Sequence, residues 1–311
     1  MADTGTATGR DALNIDSSRC LRMRFSASSC RHCTDICPHG AATLDNGLSL
    51  DSEQCRGCLL CTAVCPTGAL EQKTDFSLCL TQLSRVPEPV LGCTRTREHS
   101  NAALACLGGL SEEHLLTLSH SLSGELTLNL SLCEECANKD MLPFLRKRLD
   151  ALSKAGLSDG GCHIVPAESV ADLRYRDESL DRRSFFKSFR KSLFMSAAAI
   201  VSSTSEQTAK QTPYGEKRLP ARRELLNRIR KDLSPEVAPC ALVHFDSQAD
   251  FNDNCTACQA CVSICPTGAL QTEPIDASPI FDRLLCTGCG LCAEFCLDGA
   301  LRISAIDTTL L

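Results

Sequence analysis

Tryptophan is absent from this sequence and tyrosine occurs twice; with eleven Phe, aromatic residues make up 4% of 311 residues. Aromatic burial ordinarily carries much of a core's hydrophobic energy, so part of the cohesion must come from elsewhere. Long apolar runs are missing too. The best, residues 193–201, is far shorter than the roughly 18 to 20 residues that cross a bilayer, and residues 1–15 lack the apolar segment of a secretory signal. The expectation is a cytoplasmic protein with no membrane span, and the length suits about two domains. No G-x-G-x-x-G or P-loop occurs, which leaves nucleotide binding without a basis. A net charge of −6 and the want of an aromatic platform argue against nucleic acid as a partner.

What the chain has in excess is cysteine, 23 residues. Disulfides at that density belong to small secreted scaffolds; in a reducing compartment, grouped Cys means metal. Cys55, Cys58, Cys61 and Cys65 follow the spacing C-x2-C-x2-C-x3-C with Pro66 next, and Cys255, Cys258, Cys261 and Cys265 repeat it with Pro266. A third run, Cys286, Cys289, Cys292 and Cys296, is followed by Leu297. Zinc ribbons use two separated pairs. Three thiolates on short steps with a more distant fourth suit a cubane iron–sulfur cluster, because one loop can wrap three of its corners. Residues 55–70 and 255–270 both end in Cys-Pro-Thr-Gly-Ala-Leu and lie 200 positions apart, as duplicated modules would.

These motifs resemble those of the bacterial double-cluster (2×4Fe-4S) ferredoxin family, over roughly residues 17–71 and 250–304. The resemblance implies four 4Fe-4S clusters, each taking three thiolates from one run and a fourth from the end of the neighbouring run. Carried over position by position, Cys255, Cys258, Cys261 and Cys296 hold one cluster, and Cys286, Cys289, Cys292 and Cys265 its neighbour. Leu297 in place of a proline removes no ligand. The N-terminal module departs from the family. Its first run has Cys30, Cys33 and Cys37 with Pro38, but Ala27 where a leading Cys would fall. Cys20 is the nearest thiol upstream, and a longer loop closes at little extra entropic cost. The implied sets are Cys20, Cys30, Cys33 and Cys65, and Cys55, Cys58, Cys61 and Cys37. The alternative is that Cys20 is a core thiol and its cluster has three protein ligands. His32, inside the motif, reads as a surface residue.

Cys79, Cys93, Cys106, Cys133, Cys136, Cys162 and Cys240 remain. Six of them fall in residues 79–162, where short apolar stretches precede Cys93 and Cys106, and Ser111, Glu112 and Glu113 form a helix start. Leu126, Leu128 and Leu130 then alternate as a strand, Leu142, Leu145, Leu149 and Leu152 share a helix face, and Ile164 and Val165 begin a further strand. Strands alternating with helices predict a small parallel sheet. Cys93, Cys106 and the pair Cys133 and Cys136 each follow a predicted strand, and so fall on the sheet edge where ligands bind. They are candidate ligands of one further zinc or iron–sulfur centre, the alternative being plain packing residues. Cys79, Cys162 and Cys240 read as core or surface thiols. In these Cys positions and the Cys-Leu-Gly-Gly-Leu-Ser stretch at 106–111, the segment resembles the small iron–sulfur subunit that links hydrogenases to heterodisulfide reductases.

Residues 181–235 carry thirteen Lys and Arg against five acidic residues, which leaves the rest of the chain at −14. Residues 202–213 read as a Ser/Thr-rich linker and residues 221–233 as a short basic helix. Arg182 and Arg183, ahead of Phe185, Phe186 and Phe189, resemble a twin-arginine export motif, but so far inside the chain they read as a cationic helix start. The expected fold class is α+β: ferredoxin-like modules at 1–75 and 241–311 flank a small α/β domain at 76–180, with a basic helical linker at 181–240. The expected function is multi-cluster electron transfer to or from a partner redox protein or oxidoreductase subunit. The alternative is a redox enzyme or metal or redox sensor whose central Cys-rich domain is the working site. Electron transfer needs no acid, base or substrate motif, and oxygen-sensitive cubanes associate the chain with a low-oxygen setting.

Overall fold

The computed structural model describes residues 9–158, 160–175, 216–272 and 278–306. The Arg182-Arg183 motif and the stretch 202–213 lie outside them.

At the N-terminal end every element is short: β1 (Leu13–Ile15), α1 (Leu21–Arg24), α2 (His32–Asp35), β2 (Ala42–Thr43), β3 (Ser49–Leu50), α3 (Leu60–Val64) and β4 (Leu70–Gln72). Two antiparallel pairs frame the loops between them. The outer pair joins β1 to β4, and the inner pair joins β2 to β3.

The central region supplies α4 (Phe76–Leu83), β5 (Val90–Cys93), β6 (Ala102–Leu104), α5 (Glu112–Ser121), β7 (Gly124–Asn129), α6 (Leu142–Lys154) and β8 (Cys162–Ala167). Its strands form an all-parallel sheet in the order β6-β5-β7-β8. The helix start expected at Ser111 is a capping box: the Ser111 side chain accepts from the His114 amide, and the His114 ring accepts from the Ser111 amide. Pro143 occupies the first turn of α6, where no amide donor is needed. The alternation of Leu126, Leu128 and Leu130 does not mark a solvent face, because Thr127 and Asn129 between them are buried as well. A strand inside a parallel sheet is covered on both sides. Pro166 sits in β8, at the sheet edge, where a missing donor does no harm.

Two helices, α7 (Ala221–Ile229) and α8 (Val237–Phe245), follow. The basic helix expected over 221–233 ends at Ile229 and passes into a 3-10 turn, Arg230–Asp232. It is no free linker: Leu225, Leu226 and Ile229 enter the core, and Arg222 pairs with Glu113 of α5 at 3.0 Å.

The C-terminal end repeats the N-terminal plan with β9 (Ser247–Phe251), α9 (Ala260–Ile264), β10 (Leu270–Gln271), β11 (Ile280–Phe281), α10 (Leu291–Glu294) and β12 (Leu301–Ala305). Here β9 pairs with β12 outside and β10 with β11 inside. One Leu-rich core runs through the N-terminal module and the central sheet and takes in α7 and part of α8. The C-terminal module has a separate core of six buried residues: Cys265, Ala269, Leu270, Cys286, Cys292 and Leu301. Among the described residues no helix is long and apolar enough to cross a membrane.

Candidate metal centres

Each complete C-x2-C-x2-C run winds through two left-handed residues at the same places. They are Gly57 and Leu59 (φ +66° and +60°), Ala257 and Gln259 (+54° and +60°), and Gly288 and Gly290 (+64° and +73°). The reversals turn three successive thiols toward one point. Glycine takes this conformation freely, whereas Leu59, Ala257 and Gln259 hold it at a cost of order 1 kcal/mol each, so something in the site must oppose the strain.

The fourth thiol of each set arrives through strand pairing. The β1/β4 pair brings the segment after β1, with Cys20, beside Cys65 just before β4, while β2/β3 places Cys37 and Cys55 together. The pairs β9/β12 and β10/β11 do the same for Cys255 with Cys296 and for Cys265 with Cys286. The shared Cys-Pro-Thr-Gly-Ala-Leu ending has a part at every position. Thr67 and Thr267 set their hydroxyls 3.9 and 3.7 Å from the sulfurs of Cys65 and Cys265. Gly68 and Gly268 turn left-handed (φ +66° and +78°), and buried Ala and Leu lead into the strand. At Cys265 burial would raise the pKa, but the amides of Leu270, Thr267 and Ala269 and the Thr267 hydroxyl outweigh it, and the thiol lies below its ordinary value. That is a cradle for a thiolate.

The thiols gather in fours. Burial, then Cys65, Cys20 and Cys30, push Cys33 up to about 12. Burial, then Cys58, Cys37 and Cys55, raise Cys61, which also feels Cys33 of the first set. Burial, with Cys265 and Cys286 adding to it, pushes Cys289 up to about 12. Cys261 is raised by burial and by Cys258 and Cys255, and a bond from Thr256 to Asp298 at 3.2 Å ties that run to the loop after Cys296. Three of these sets each line a cavity of their own: Cys20, Cys30, Cys33 and Cys65; Cys37, Cys55, Cys58 and Cys61; and Cys265, Cys286, Cys289 and Cys292. At the second cavity the buried Nε2 of His39 has no hydrogen-bond partner. All-thiol cavities with amide donors at the sulfurs fit a cubane cluster.

The ten-residue step from Cys20 to Cys30 is taken up by α1, whose Leu21 is buried, and by a turn in which Arg22 donates to the Ser28 carbonyl at 2.7 Å. His32 is exposed.

At the central sheet Cys93 ends β5, level with Leu104 at the end of β6, and Cys106 lies two residues further on. Leu91 pairs with Leu128, so Cys93 also stands level with Leu130, just ahead of Cys133. Burial is the first cause, and Cys93, Cys58 and Cys133 add to it, in pushing Cys106 up to about 12; burial, Cys93 and Cys136 do the same to Cys133. Of the other thiols, Cys79 and Cys162 are buried and Cys240 is half-buried.

Several residues that tie these places together carry no sequence motif. The irregular stretch through Lys217 and Arg218 lies along the Cys265-Pro266 turn and meets Arg19 of the N-terminal module. Lys217 Nζ donates to the carbonyls of Val262, Ser263 and Cys265, the Arg218 amide donates to Pro266, and Arg19 reaches the Arg218 carbonyl. Ser29 bonds the Glu294 carboxylate, and Phe25 meets Phe295 edge-on at 5.2 Å. Arg148, on α6, is more buried than the neighbouring Leu149 and donates to the carbonyls of Gly108 and Leu110 at 2.9 and 2.7 Å. Gly108 itself touches the Cys58 loop, where an added Cβ would lie 2.2 Å from the Cys58 carbonyl oxygen. Gly108→Ala should therefore destabilise the chain by about 1–3 kcal/mol and loosen the Cys58 loop, as read from denaturation midpoints and amide exchange of residues 56–60; unchanged exchange there would contradict the contact.

Residues 28–69 and residues 254–301 each match the family model of a 4Fe-4S dicluster domain. No curated protein matches the chain. The chain thus carries two ferredoxin-like 4Fe-4S dicluster domains, one near each end, and the N-terminal match begins downstream of Cys20.

Proposed function

We propose that the chain is an electron relay in which its clusters stand in series between a partner oxidoreductase and a second redox protein, in a low-oxygen cytoplasm. The cluster of Cys55, Cys58, Cys61 and Cys37 is followed by that of Cys20, Cys30, Cys33 and Cys65, then by that of Cys265, Cys286, Cys289 and Cys292, and last by that of Cys255, Cys258, Cys261 and Cys296. The observation carrying this reading is the direct contact of the two modules, where Ser29 bonds the Glu294 carboxylate and Phe25 meets Phe295, with Arg19 reaching the carbonyl of Arg218, whose amide donates to Pro266. A bound 4Fe-4S group supplies one-electron storage without bond chemistry. The protein holds each group at fixed spacing, shields it with Leu and Ala side chains, and sets cationic Arg19 and Lys217 beside the thiolates.

The test is anaerobic reduction followed by electron paramagnetic resonance. Neighbouring reduced clusters should show mutual magnetic splitting, and Cys20→Ser should remove or convert one signal while leaving the other three. Four sharp, non-interacting signals would end the serial reading; an unchanged spectrum in Cys20→Ser would return Cys20 to the core.

A further inference from the structure

We propose that His39 donates a hydrogen bond from Nε2 to the 4Fe-4S group of Cys37, Cys55, Cys58 and Cys61, and that this donor raises the reduction potential of that set above that of the neighbouring set of Cys20, Cys30, Cys33 and Cys65. His39 stands in a turn that the chain builds four times. Residues 37–40, 65–68, 265–268 and 296–299 each run from a Cys to a left-handed Gly, with φ of +61°, +66°, +78° and +58° at Gly40, Gly68, Gly268 and Gly299. In three of them the Gly amide donates to the Cys carbonyl at 3.3 Å: Gly40 to Cys37, Gly68 to Cys65 and Gly299 to Cys296. On this common backbone the third residue varies, as His39, Thr67, Thr267 and Asp298.

That third side chain reaches its own thiol set. Thr67 and Thr267 place their hydroxyls beside the sulfurs of Cys65 and Cys265, and Asp298 accepts from Thr256, which lies between Cys255 and Cys258. His39 does likewise, because it lines the cavity formed by Cys37, Cys55, Cys58 and Cys61. Its Nε2 is buried and has no hydrogen-bond partner among the described residues. A ring nitrogen shut away from water costs free energy unless something in the cavity meets it. Leu13, Ala41, Leu50 and Leu59, which share the lining, have no acceptor side chain. The sulfurs of a bound cubane are acceptors, and hydrogen bonds to them are one of the levers that set its potential.

A donor there stabilises the reduced state, which carries one more negative charge, more than the oxidised state, and so raises the potential. Arginine does not separate the two N-terminal sets, since Arg22 lines one cavity and Arg56 the other. His32, at the cavity of the Cys20 set, is exposed and screened by water. What remains is an imidazole at one turn against the Thr67 hydroxyl at the other. The direction of flow follows, and this part rests on the relay reading. One electron leaves the Cys20 set, which is oxidised, and settles on the Cys37 set, which is reduced, while Nε2 keeps its hydrogen. The Cys58 end is then where the chain delivers electrons.

Anaerobic redox titration of the loaded full chain at one fixed pH, followed by electron paramagnetic resonance, tests the proposal. The signal of the Cys37 set, identified as the one that Cys37→Ser removes or converts, should appear at a higher potential than that of the Cys20 set. His39→Leu should lower its midpoint, so that at the parent's midpoint the ratio of reduced to oxidised cluster falls about tenfold, or about 59 mV for one electron. The other three sets should keep their midpoints. His39→Gln, which retains a donor, should keep most of the parent's value. With isotope-labelled histidine nitrogen, electron–nuclear double resonance should show a nitrogen coupling on the Cys37 signal that His39→Gln removes. An unshifted midpoint in His39→Leu, or equal shifts in the Leu and Gln variants, would overturn the donor and leave His39 a packing residue. Should His39→Leu fail to take up iron, the labelled parent decides, and the want of a nitrogen coupling there would overturn the proposal. A midpoint for the Cys37 set below that of the Cys20 set would overturn the direction. A shifted midpoint in a chain whose clusters show no mutual splitting would uphold the donor and end the relay, and splitting without a shift would do the reverse.

Discussion

Replacing Asp246 by Ala should cost about 3–5 kcal/mol and loosen the C-terminal module from the rest of the chain. The Asp246 side chain is 0% exposed and accepts from Arg223 Nη2 at 2.5 Å and from both terminal nitrogens of Arg230. Arg223, with 3% of its side chain exposed, also donates to the carbonyls of Phe245 and Arg283 at 2.8 and 3.3 Å. It therefore stitches α7 to the loop that leads into Cys286. Without the carboxylate two guanidinium groups would stay in a poorly solvated place without the counter-charge they share, which is the costly way to break a buried pair. Asp246→Asn keeps the shape and some hydrogen bonds, and should lose less. Denaturation of the loaded protein measures the cost, and the magnetic coupling between modules should fade although each retains its iron. An Ala variant as stable as the parent would show that Arg223 and Arg230 find other partners or water.

Iron removal should unfold the C-terminal module entirely while the central sheet persists. Half of that module's six buried core residues are Cys, so its interior is largely the place of the metal. A unit of that size is close to the limit for folding without a staple. The central sheet differs: Leu91, Leu104, Leu115, Leu116, Leu118, Leu126 and Leu128 are each 0% exposed. Amide exchange after chelation should show protection lost across β9/β12 and β10/β11 and kept in β5 and β7. The N-terminal module, which shares the larger core, should retain part of its protection. Native-like protection of β9 and β12 in the iron-free chain would mean that side-chain packing, not metal, holds this module.

The Cys runs were legible because their information is local: ligand spacing along a few residues is chemistry that can be read without a fold. The parallel sheet was legible for a similar reason, since the strand and helix patterns around Cys93, Leu126 and Leu145 each fit within a short window. The grouping of Cys20 with Cys65 needed strand pairing across the whole module, and the residue pattern alone left it open. The long-range polar ties were not legible. Arg19 meets Arg218 across 199 positions, and Arg222 meets Glu113 across 109, so the sequence shows the excess positive charge of the linking segment but not the residues it meets. Part of it is buried and specific. The requirement for glycine at 108 was not legible, because it arises from the Cys58 loop, fifty positions earlier.

Exposure is unequal along the series of thiol sets. Cys258 alone among the 23 cysteines is exposed, and Leu297, next to Cys296 in the same set, is 99% exposed, whereas Cys20, Cys33, Cys65 and Cys106 are buried. Among the described residues, the set of Cys255, Cys258, Cys261 and Cys296 is therefore the one most open to dissolved oxygen. Oxidation in air should take the iron held by that set first and the iron held by the buried Cys33 and Cys58 sets late, as read from iron content and resonance signals of an ageing sample.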